Sequence, residues 1–336
     1  MQIDWVLLLE WVVKSGLLLF ILLTGFAYTT FYERKLAARI QVRVGPNRAG
    51  PGGWLQPLAD GIKLFFKEEL IPAEAYKAVF ILAPILTVLP ALVIMAVVPW
   101  GGAIDFFGRT IPLRIADLNV AILYILSVAS ISVYGIVLAG WSSNNKYAML
   151  GGLRSSAQML SYEIALGLAF VGPMLIAGSM SLNAIIEAQR NVWFIVYQPL
   201  GAIIFYIAML AEVNRAPFDM PEAEQELTAG YHTEYSGMKF ALFFMGEYIK
   251  MIAVSAIFAT LFLGGYRGPF VDQWPLLGPL YLLAKIILSL GIMIWIRATL
   301  PRLRYDRLMA FGWKVLLPLS LLNVFLTAVV IVLLGL

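Results

Sequence analysis

Eight apolar stretches constrain the fold of this chain more than any other feature of its sequence. A helix needs about 20 predominantly apolar residues to cross the hydrocarbon core of a bilayer. Such stretches lie near residues 10–32, 78–98, 118–140, 157–178, 192–213, 240–264, 276–297 and 313–335. Of all 336 residues, 61% are hydrophobic and only 13% are charged, a composition that excludes a soluble domain. The sequence therefore predicts an all-α polytopic membrane protein with about eight transmembrane helices, forming a single membrane domain over residues 1–336.

The distribution of basic residues predicts the orientation of these helices. Most Lys and Arg residues lie in the loops after the first, third, fifth and seventh stretches, and the alternate loops hold only Arg109, Arg114, Arg190 and Arg267. By the positive-inside rule, the basic loops face the cytoplasm or its topological equivalent. Both termini are then predicted on the non-cytoplasmic side.

The first cytoplasmic loop, residues 33–77, contains a candidate amphipathic helix at residues 54–70. Apolar residues recur there at helical spacing among the charged residues Asp60, Lys63 and Lys67. One apolar face that is too short and too charged to span predicts a helix lying along the membrane surface on the cytoplasmic side. On the alternative interpretation the helix merely rests on lipid, and Asp60 is a solvated residue of its polar face.

The most unusual polar stretch lies at residues 212–247 and includes a second, acidic cytoplasmic loop, residues 214–239. Ionisable residues at or near membrane depth are costly and indicate a functional site by default. Seven carboxylates lie here between two apolar stretches: Glu212, Asp219, Glu222, Glu224, Glu226, Glu234 and Glu247. Asp219 and Glu222 also fit a helix start, with Asp as N-cap and Glu at the third helical position, so capping alone remains an equal alternative for both. Capping does not reach Glu212 or Glu247.

Glu163 lies about five residues inside the fourth apolar stretch. A satisfied interhelical hydrogen bond would explain it without any function. Together with Glu212 and Glu247, however, it indicates a set of carboxylates that hold or share protons, because few cations are expected near these three residues.

The chain has no Cys and one His, so it cannot ligate an iron–sulfur cluster through thiolates or hold a haem between two histidines. The sequence therefore predicts that this chain binds no redox cofactor and no metal.

Short motifs in all four predicted cytoplasmic loops carry a specific resemblance. They include GPNR at 45–48, QPLAD at 56–60, SNNKY at 143–147, SYE at 161–163, AEVNRAPFD at 211–219, EAEQE at 222–226 and PRLRYD at 301–306. Through these motifs the chain resembles, over nearly its whole length, the H-type membrane subunits of respiratory complex I. Members of that family form the quinone site of the proton-pumping NADH:quinone oxidoreductase within the membrane.

The resemblance implies a function and a set of partners. It implies that the chain forms, with two hydrophilic subunits, a narrow chamber for the quinone substrate, beside small membrane subunits of the A, J and K types. The NADH site, the FMN and the iron–sulfur clusters are then expected in partner subunits. A bacterial plasma (inner) membrane is the expected location, with an organelle inner membrane as the alternative, and the expected partners include membrane lipid but no nucleic acid.

The resemblance also implies two sets of site residues. The expected quinone-binding residues are Glu33, Arg34, Asp60, Arg215, Phe244, Arg297 and Arg302. The expected proton-coupling residues are Glu163, Glu212, Asp219, Glu222, Glu224, Glu226 and Glu247. Two other function classes stay open, namely the related subunit of a membrane-bound hydrogenase and a stand-alone proton or cation transporter.

Overall fold

The computed structural model describes residues 5–106, 109–220 and 229–334. The described residues form twelve α-helices: α1 Trp5–Ile40, α2 Gln56–Phe66, α3 Lys77–Ile94, α4 Ala121–Ser142, α5 Lys146–Ala177, α6 Leu182–Ala188, α7 Phe194–Tyr197, α8 Pro199–Glu212, α9 Gly237–Phe262, α10 Leu277–Thr299, α11 Tyr305–Phe311 and α12 Leu317–Leu334. A single π-helical turn, Gly312–Leu316, joins α11 to α12. Short 3₁₀ turns lie at Pro51–Gly53 and Gly230–His232.

Seven helical segments of the described residues are long and apolar enough to cross a membrane. They are Leu7–Ile40, Lys77–Ile94, Ala121–Ser142, Lys146–Ala177, Gly237–Phe262, Leu277–Thr299 and Tyr305–Leu333. The eighth apolar helix, α8, is shorter because the predicted stretch at 192–213 breaks at Gln198, and Pro199 starts a new helix where a missing N–H is tolerated. The prediction of an all-α polytopic membrane protein is confirmed.

The fourth membrane helix begins eleven residues earlier than the predicted start at residue 157. The side chain of Asn145 accepts a hydrogen bond from the backbone N–H of Tyr147 at 2.9 Å and so caps the start of α5. Gly151 and Gly152 then let α5 approach neighbouring backbone, since a Cβ at Gly151 would lie 2.5 Å from the Cα of Gly230. The polar stretch before residue 157 is therefore packed helix and not loop.

A two-stranded antiparallel hairpin, which the sequence does not predict, lies between α3 and α4. Its strands are β1 Ala103–Phe106 and β2 Arg109–Pro112, and Ala103 pairs with Pro112. The hairpin lies in a loop predicted to face the non-cytoplasmic side, and it does not alter the helical class of the fold.

Helix α9 lies at the centre of the bundle, in contact with α1, α3 and α10. Every residue from Lys250 to Phe262 is buried, and Phe258 and Phe262 pack on Phe205 of α8 with ring centroids 6.0 and 5.6 Å apart. Charged residues on α9 therefore face protein and not lipid.

Helix α2 occupies residues 56–66 of the predicted amphipathic segment 54–70. The ring of Trp54, just before the helix, lies 5.8 Å from the rings of both Tyr28 and Phe31 on α1. Phe65 and Phe66 near its end are 67% and 80% exposed. The helix ends at Phe66 because Lys67 adopts an extended backbone conformation.

Candidate functional site

Two arginines and two glutamates meet where α1, α9 and α10 approach the end of α8. The guanidinium of Arg297 donates to Glu33 of α1. Arg215, just after α8, has its Nη1 3.6 Å from Oε1 of Glu33 and its Nε 2.6 Å from Oε1 of Glu247. The Tyr248 hydroxyl donates to the other Glu33 oxygen at 2.6 Å, and its ring lies 4.5 Å from the Arg215 guanidinium carbon. We call these five residues the arginine cluster.

The arginine cluster is buried on the inner side and open at its edge. The side chain of Arg215 is 3% exposed and that of Glu33 is 10% exposed, whereas Arg297 is 33% exposed. Removing one partner from a buried ion pair costs about 3–5 kcal/mol, because the remaining charge loses its compensation. A change of charge beside Arg297 would therefore be felt by the buried members of the cluster.

A second buried pair joins α9 to α8 and lies next to α4. The ammonium of Lys250 is 2.6 Å from Oε1 of Glu212 and donates to the Ser132 hydroxyl at 3.2 Å. The other carboxylate oxygen of Glu212, Oε2, has no hydrogen-bond partner among the described residues. We call these three residues the lysine cluster.

The lysine cluster corrects one expectation from the sequence. The apolar surroundings of Glu212 and Glu247 predict few cations nearby, and this prediction is wrong. Lys250 contacts Glu212 directly and Arg215 contacts Glu247 directly. The physical reason is that carboxylates buried this deeply remain ionised only beside a compensating charge.

A small cavity joins the two clusters. Its volume is about 40 Å³, and Glu212, Lys250 and Glu247 all contribute to its wall. The remaining lining residues are Thr87, Ser132, Ile136, Met159, Val213, Asn214, Tyr231, Phe243 and Gly246. A cavity needs about 10–15 Å³ to hold one water molecule, so this cavity has room for about one to three.

Glu163 lies on α5 beside α4, where the Ser130 hydroxyl donates to its carboxylate. It is close enough to Glu212 for the two carboxylates to repel each other. Glu163 is half-buried and borders the lysine cluster without joining the ion pair. The interhelical hydrogen bond considered as its non-functional explanation is thus present, and it leaves the proton-coupling prediction untested.

The acidic loop is described only at its two ends. Asp219 is half-buried, whereas Glu222, Glu224 and Glu226 lie outside the described residues. At the far end, Glu234 accepts a hydrogen bond from Asn145 at 2.7 Å.

Gln158 of α5 holds the segment that carries Glu212 and Arg215. Its Nε2 amide donates to the carbonyl oxygens of Ala211 and Phe218 at 2.8 and 2.6 Å. The side chain is fully buried. Gln158 therefore fixes the chain where the lysine cluster meets the arginine cluster.

Arg34 and Asp60 form a separate pair between α1 and α2. Their closest atoms are 2.6 Å apart, with side chains 52% and 24% exposed. Gln56 donates to the other oxygen of Asp60 at 3.1 Å. An open apolar groove of about 550 Å³ lies between the same two helices, lined by Tyr28 of α1, Trp54 just before α2 and Phe65 of α2, among others.

Phe244 and Arg302 lie apart from the ion pairs described above. Phe244 stacks near Phe240 and His232, with ring centroids 4.6 and 5.9 Å away. Burial lowers the pKa of His232 to about 3. Arg302 lies 3.8 Å from the Met220 sulfur, so the last cytoplasmic loop folds against the acidic loop.

The structure adds functional candidates that sequence reasoning does not select, chiefly Lys250, Tyr248 and Gln158. Lys250 has a local signal, because it follows Glu247 by three residues inside an apolar helix and so shares its face. Gln158 carries no such signal, since its partners lie more than 50 positions further along the chain.

Comparison with known proteins places the chain in a family. The model of the NADH dehydrogenase family matches residues 13–328. One of the NADH-quinone oxidoreductase H subunits of Geobacter sulfurreducens is 52% identical over 325 residues, covering 93% of this chain and 92% of that protein. The H subunit of Protochlamydia amoebophila is 53% identical, and the match covers 91% of this chain and 92% of that protein. The H subunit of Thermomicrobium roseum is 51% identical, and the match covers 97% of both chains. The chain therefore belongs to the NADH dehydrogenase family of membrane proteins that includes the H subunits of NADH-quinone oxidoreductase.

Proposed function

We propose that this chain is the membrane subunit of a proton-translocating NADH:quinone oxidoreductase. It helps to form the quinone chamber and couples quinone reduction to proton movement through buried carboxylates. The observation that carries this proposal is the buried series of ion pairs running from Glu33 to Glu212, because a membrane helix that only anchors needs none of them. Membership of the family supports the assignment to this enzyme.

The quinone side of the proposal rests on the groove between α1 and α2. Its apolar wall suits an isoprenoid tail, and the exposed rings of Phe65 and Phe66 suit contact with lipid. The Arg34–Asp60 pair supplies polar groups between the same two helices, α1 and α2. Arg297 of α10 and Glu33 of α1 offer charged and hydrogen-bonding groups next to each other. A quinone head group that reached them would change its charge there on reduction.

The coupling side of the proposal rests on charge balance. A quinone that accepts two electrons needs two protons, so its reduction changes the charge close to the arginine cluster. Ion pairs buried in a low dielectric respond strongly to such a change. Glu247, Glu212 and Glu163 are then the proton-coupling carboxylates.

The same proposal fixes partners and location. The chain works as one subunit of the assembled oxidoreductase, with two hydrophilic subunits over its cytoplasmic loops and the small membrane subunits of the A, J and K types at its side. NADH oxidation, FMN and the iron–sulfur clusters belong to those partners. The bacterial relatives and the apolar helices favour a multi-pass position in the bacterial plasma membrane.

The test uses single substitutions in the assembled enzyme. Glu163→Gln, Glu212→Gln and Glu247→Gln are each expected to leave assembly largely intact while NADH-driven quinone reduction and proton pumping fall together. Glu187→Gln is the matched control, because Glu187 is 54% exposed and pairs with Arg267 far from both clusters. Full coupled activity in all three cluster variants would contradict the proposal.

The same preparation separates the two alternative functions. A hydrogenase-related subunit would support proton reduction without a lipid quinone, and a stand-alone transporter would move protons without NADH. Purification in mild detergent with identification of the co-purifying subunits gives an independent answer.

A further inference from the structure

The two clusters together form one alternating series of charges. In order, the members are Arg297, Glu33, Arg215, Glu247, Lys250 and Glu212. Three cations balance three carboxylates, so the series is neutral when all six are ionised. The cavity of about 40 Å³ interrupts it between Glu247 and Lys250, which lie three residues apart on α9. Glu247 and Lys250 therefore line the same space, which is large enough for water.

We propose, building on the function above, that Lys250 is the mobile cation of the coupling step: its ammonium exchanges between Glu212 and Glu247 across the cavity, and Glu212 is protonated when Lys250 leaves it.

The reach of Lys250 allows this exchange. Side chains three residues apart on a helix have Cβ atoms about 5–6 Å from each other, and a lysine carries its charge on a flexible four-carbon stem. Glu212 and Glu247 both line the same cavity as Lys250, so the ammonium does not have to cross packed apolar side chains. The present position, 2.6 Å from Glu212, is one of the two arrangements.

Glu212 is placed to take the proton. Its side chain is 3% exposed, and its Oε2 has no hydrogen-bond partner among the described residues. Without Lys250 the buried carboxylate loses its counter-ion, and protonation becomes the less costly state. A hydrated proton in the cavity then forms the O–H bond on Oε2 and leaves a neutral water molecule behind. The return of Lys250 reverses the step and releases that proton.

Within the described part of the chain, the cavity wall offers the ammonium of Lys250 no third charged partner. The groups that face it from the packed elements are Thr87 of α3, Ser132 of α4, Met159 of α5, Glu212 of α8 and Glu247 of α9. Glu163 acts on Glu212 from α5, and Arg215 competes with Lys250 for Glu247. A new charge beside Arg297 would draw Arg215 toward Glu33 and weaken the contact between Arg215 and Glu247. The arrangement in which Lys250 pairs with Glu247 would then be favoured.

The test is Lys250→Met in the assembled enzyme, reconstituted in liposomes. Methionine matches the apolar stem of lysine but carries no charge. We expect assembly to be retained, because Glu212 can take up a proton permanently, and proton pumping to be lost relative to NADH oxidation. Lys285→Met is the matched control, since Lys285 is a half-buried lysine of a membrane helix that binds the backbone carbonyls of Leu263, Gly265 and Arg267 and no carboxylate of either cluster.

The double variant Glu212→Gln/Lys250→Met separates a mobile cation from a structural ion pair. If the pair only stabilises the bundle, two neutral partners restore the pumping ratio, and that restoration would overturn the inference. A low ratio in the double variant fits a moving Lys250 but also follows from Glu212→Gln alone, so a second readout decides between the two. Redox-difference infrared spectra supply a second readout: a carboxylic-acid C=O signal that appears on quinone reduction in the wild type should vanish in Glu212→Gln and in Lys250→Met.

The inference can fail without the proposed function. Suppose that Glu212→Gln loses pumping but Lys250→Met keeps the normal ratio of protons pumped to NADH oxidised. Glu212 would then remain a coupling carboxylate, and the mobile lysine would be rejected. Normal pumping in Glu163→Gln, Glu212→Gln and Glu247→Gln would reject the function itself.

Discussion

His232 makes the far end of the acidic loop sensitive to pH. Its side chain is buried against the rings of Tyr231, Phe243 and Phe244, with centroids 3.9, 5.3 and 5.9 Å away. Burial lowers the pKa of His232 to about 3, so it is neutral in the folded segment. Because the folded-state pKa lies below the unfolded value of about 6.5, its contribution to stability is complete above about pH 6.5 and is lost as the pH falls toward about 3.

The size of this loss follows from the two pKa values. Each pH unit within the window lowers the free energy of local unfolding by about 1.4 kcal/mol. At about pH 5, roughly 1.5 units below the unfolded value, the segment is less stable by about 2 kcal/mol. That free energy raises the equilibrium constant for local opening by about 30-fold.

Amide hydrogen exchange measures this opening in the assembled enzyme. Peptides covering residues 229–243 are compared between wild type and His232→Phe at about pH 8 and about pH 5, so that the intrinsic exchange rate cancels at each pH. The ratio of wild-type to variant opening should rise by about 30-fold on acidification. An equal response of both proteins to pH would refute a buried neutral histidine. His232→Gln repeats the comparison without the bulk of a phenyl ring.

Two further predictions concern residues that hold the site in place. Asp60→Asn should slow quinone turnover more than electron transfer to a water-soluble acceptor taken upstream, because it removes the charged partner of Arg34. The loss of this exposed pair should cost only about 1 kcal/mol or less of stability. Equal loss of both activities would indicate misassembly instead. Gln158→Leu leaves the carbonyls of Ala211 and Phe218 without their donor, at about 1–3 kcal/mol each, and should lower the melting temperature of the assembled enzyme. A wild-type melting temperature would show that this amide is not required.

Hydropathy is sufficient to predict the class of this fold. Apolar stretches of membrane length place each main helix within the bundle, because in lipid every backbone group must bond within its own segment. The boundaries are less predictable where packing replaces lipid. The helix start at Lys146 depends on a cap at Asn145 and on close approach at Gly151, neither of which changes the hydropathy of a polar stretch.

The pairing of the charged residues could not be predicted in the same way. Glu33 and Arg297 meet although 264 positions separate them, because α1 and α10 both pack on α9. The sequence indicates costly carboxylates but not which cation compensates each one. Lys250 illustrates this limit, because its spacing from Glu247 on one helix suggests a pair with Glu247, whereas its ammonium lies 2.6 Å from Glu212 of α8.

The far end of the acidic loop is held by contacts that a small change in free energy could break. Lys239 pairs with Glu69, whose side chain is 42% exposed, and the Ser236 hydroxyl donates to the carbonyl oxygen of Glu68 at 3.1 Å. An exposed ion pair contributes about 0–1 kcal/mol. A coupling free energy of about 1–3 kcal/mol, the usual allosteric range, would be sufficient to open these contacts. We therefore predict that the described far end of this loop, residues 229–239, changes arrangement during turnover and does not act as a fixed cap.

A reversible cross-link tests this movement. Glu69→Cys and Lys239→Cys are joined by a thiol-reactive linker with an internal disulfide, and within this chain the linker can react nowhere else because the chain has no cysteine of its own. The linked enzyme should lose proton pumping and reduce quinone more slowly, and reductant should restore both activities, because cleavage frees the loop. The unlinked double variant controls for the loss of the ion pair. A linked enzyme that pumps at the normal ratio would show that the loop need not separate from Glu69, and coupling would then have to pass through the buried clusters alone.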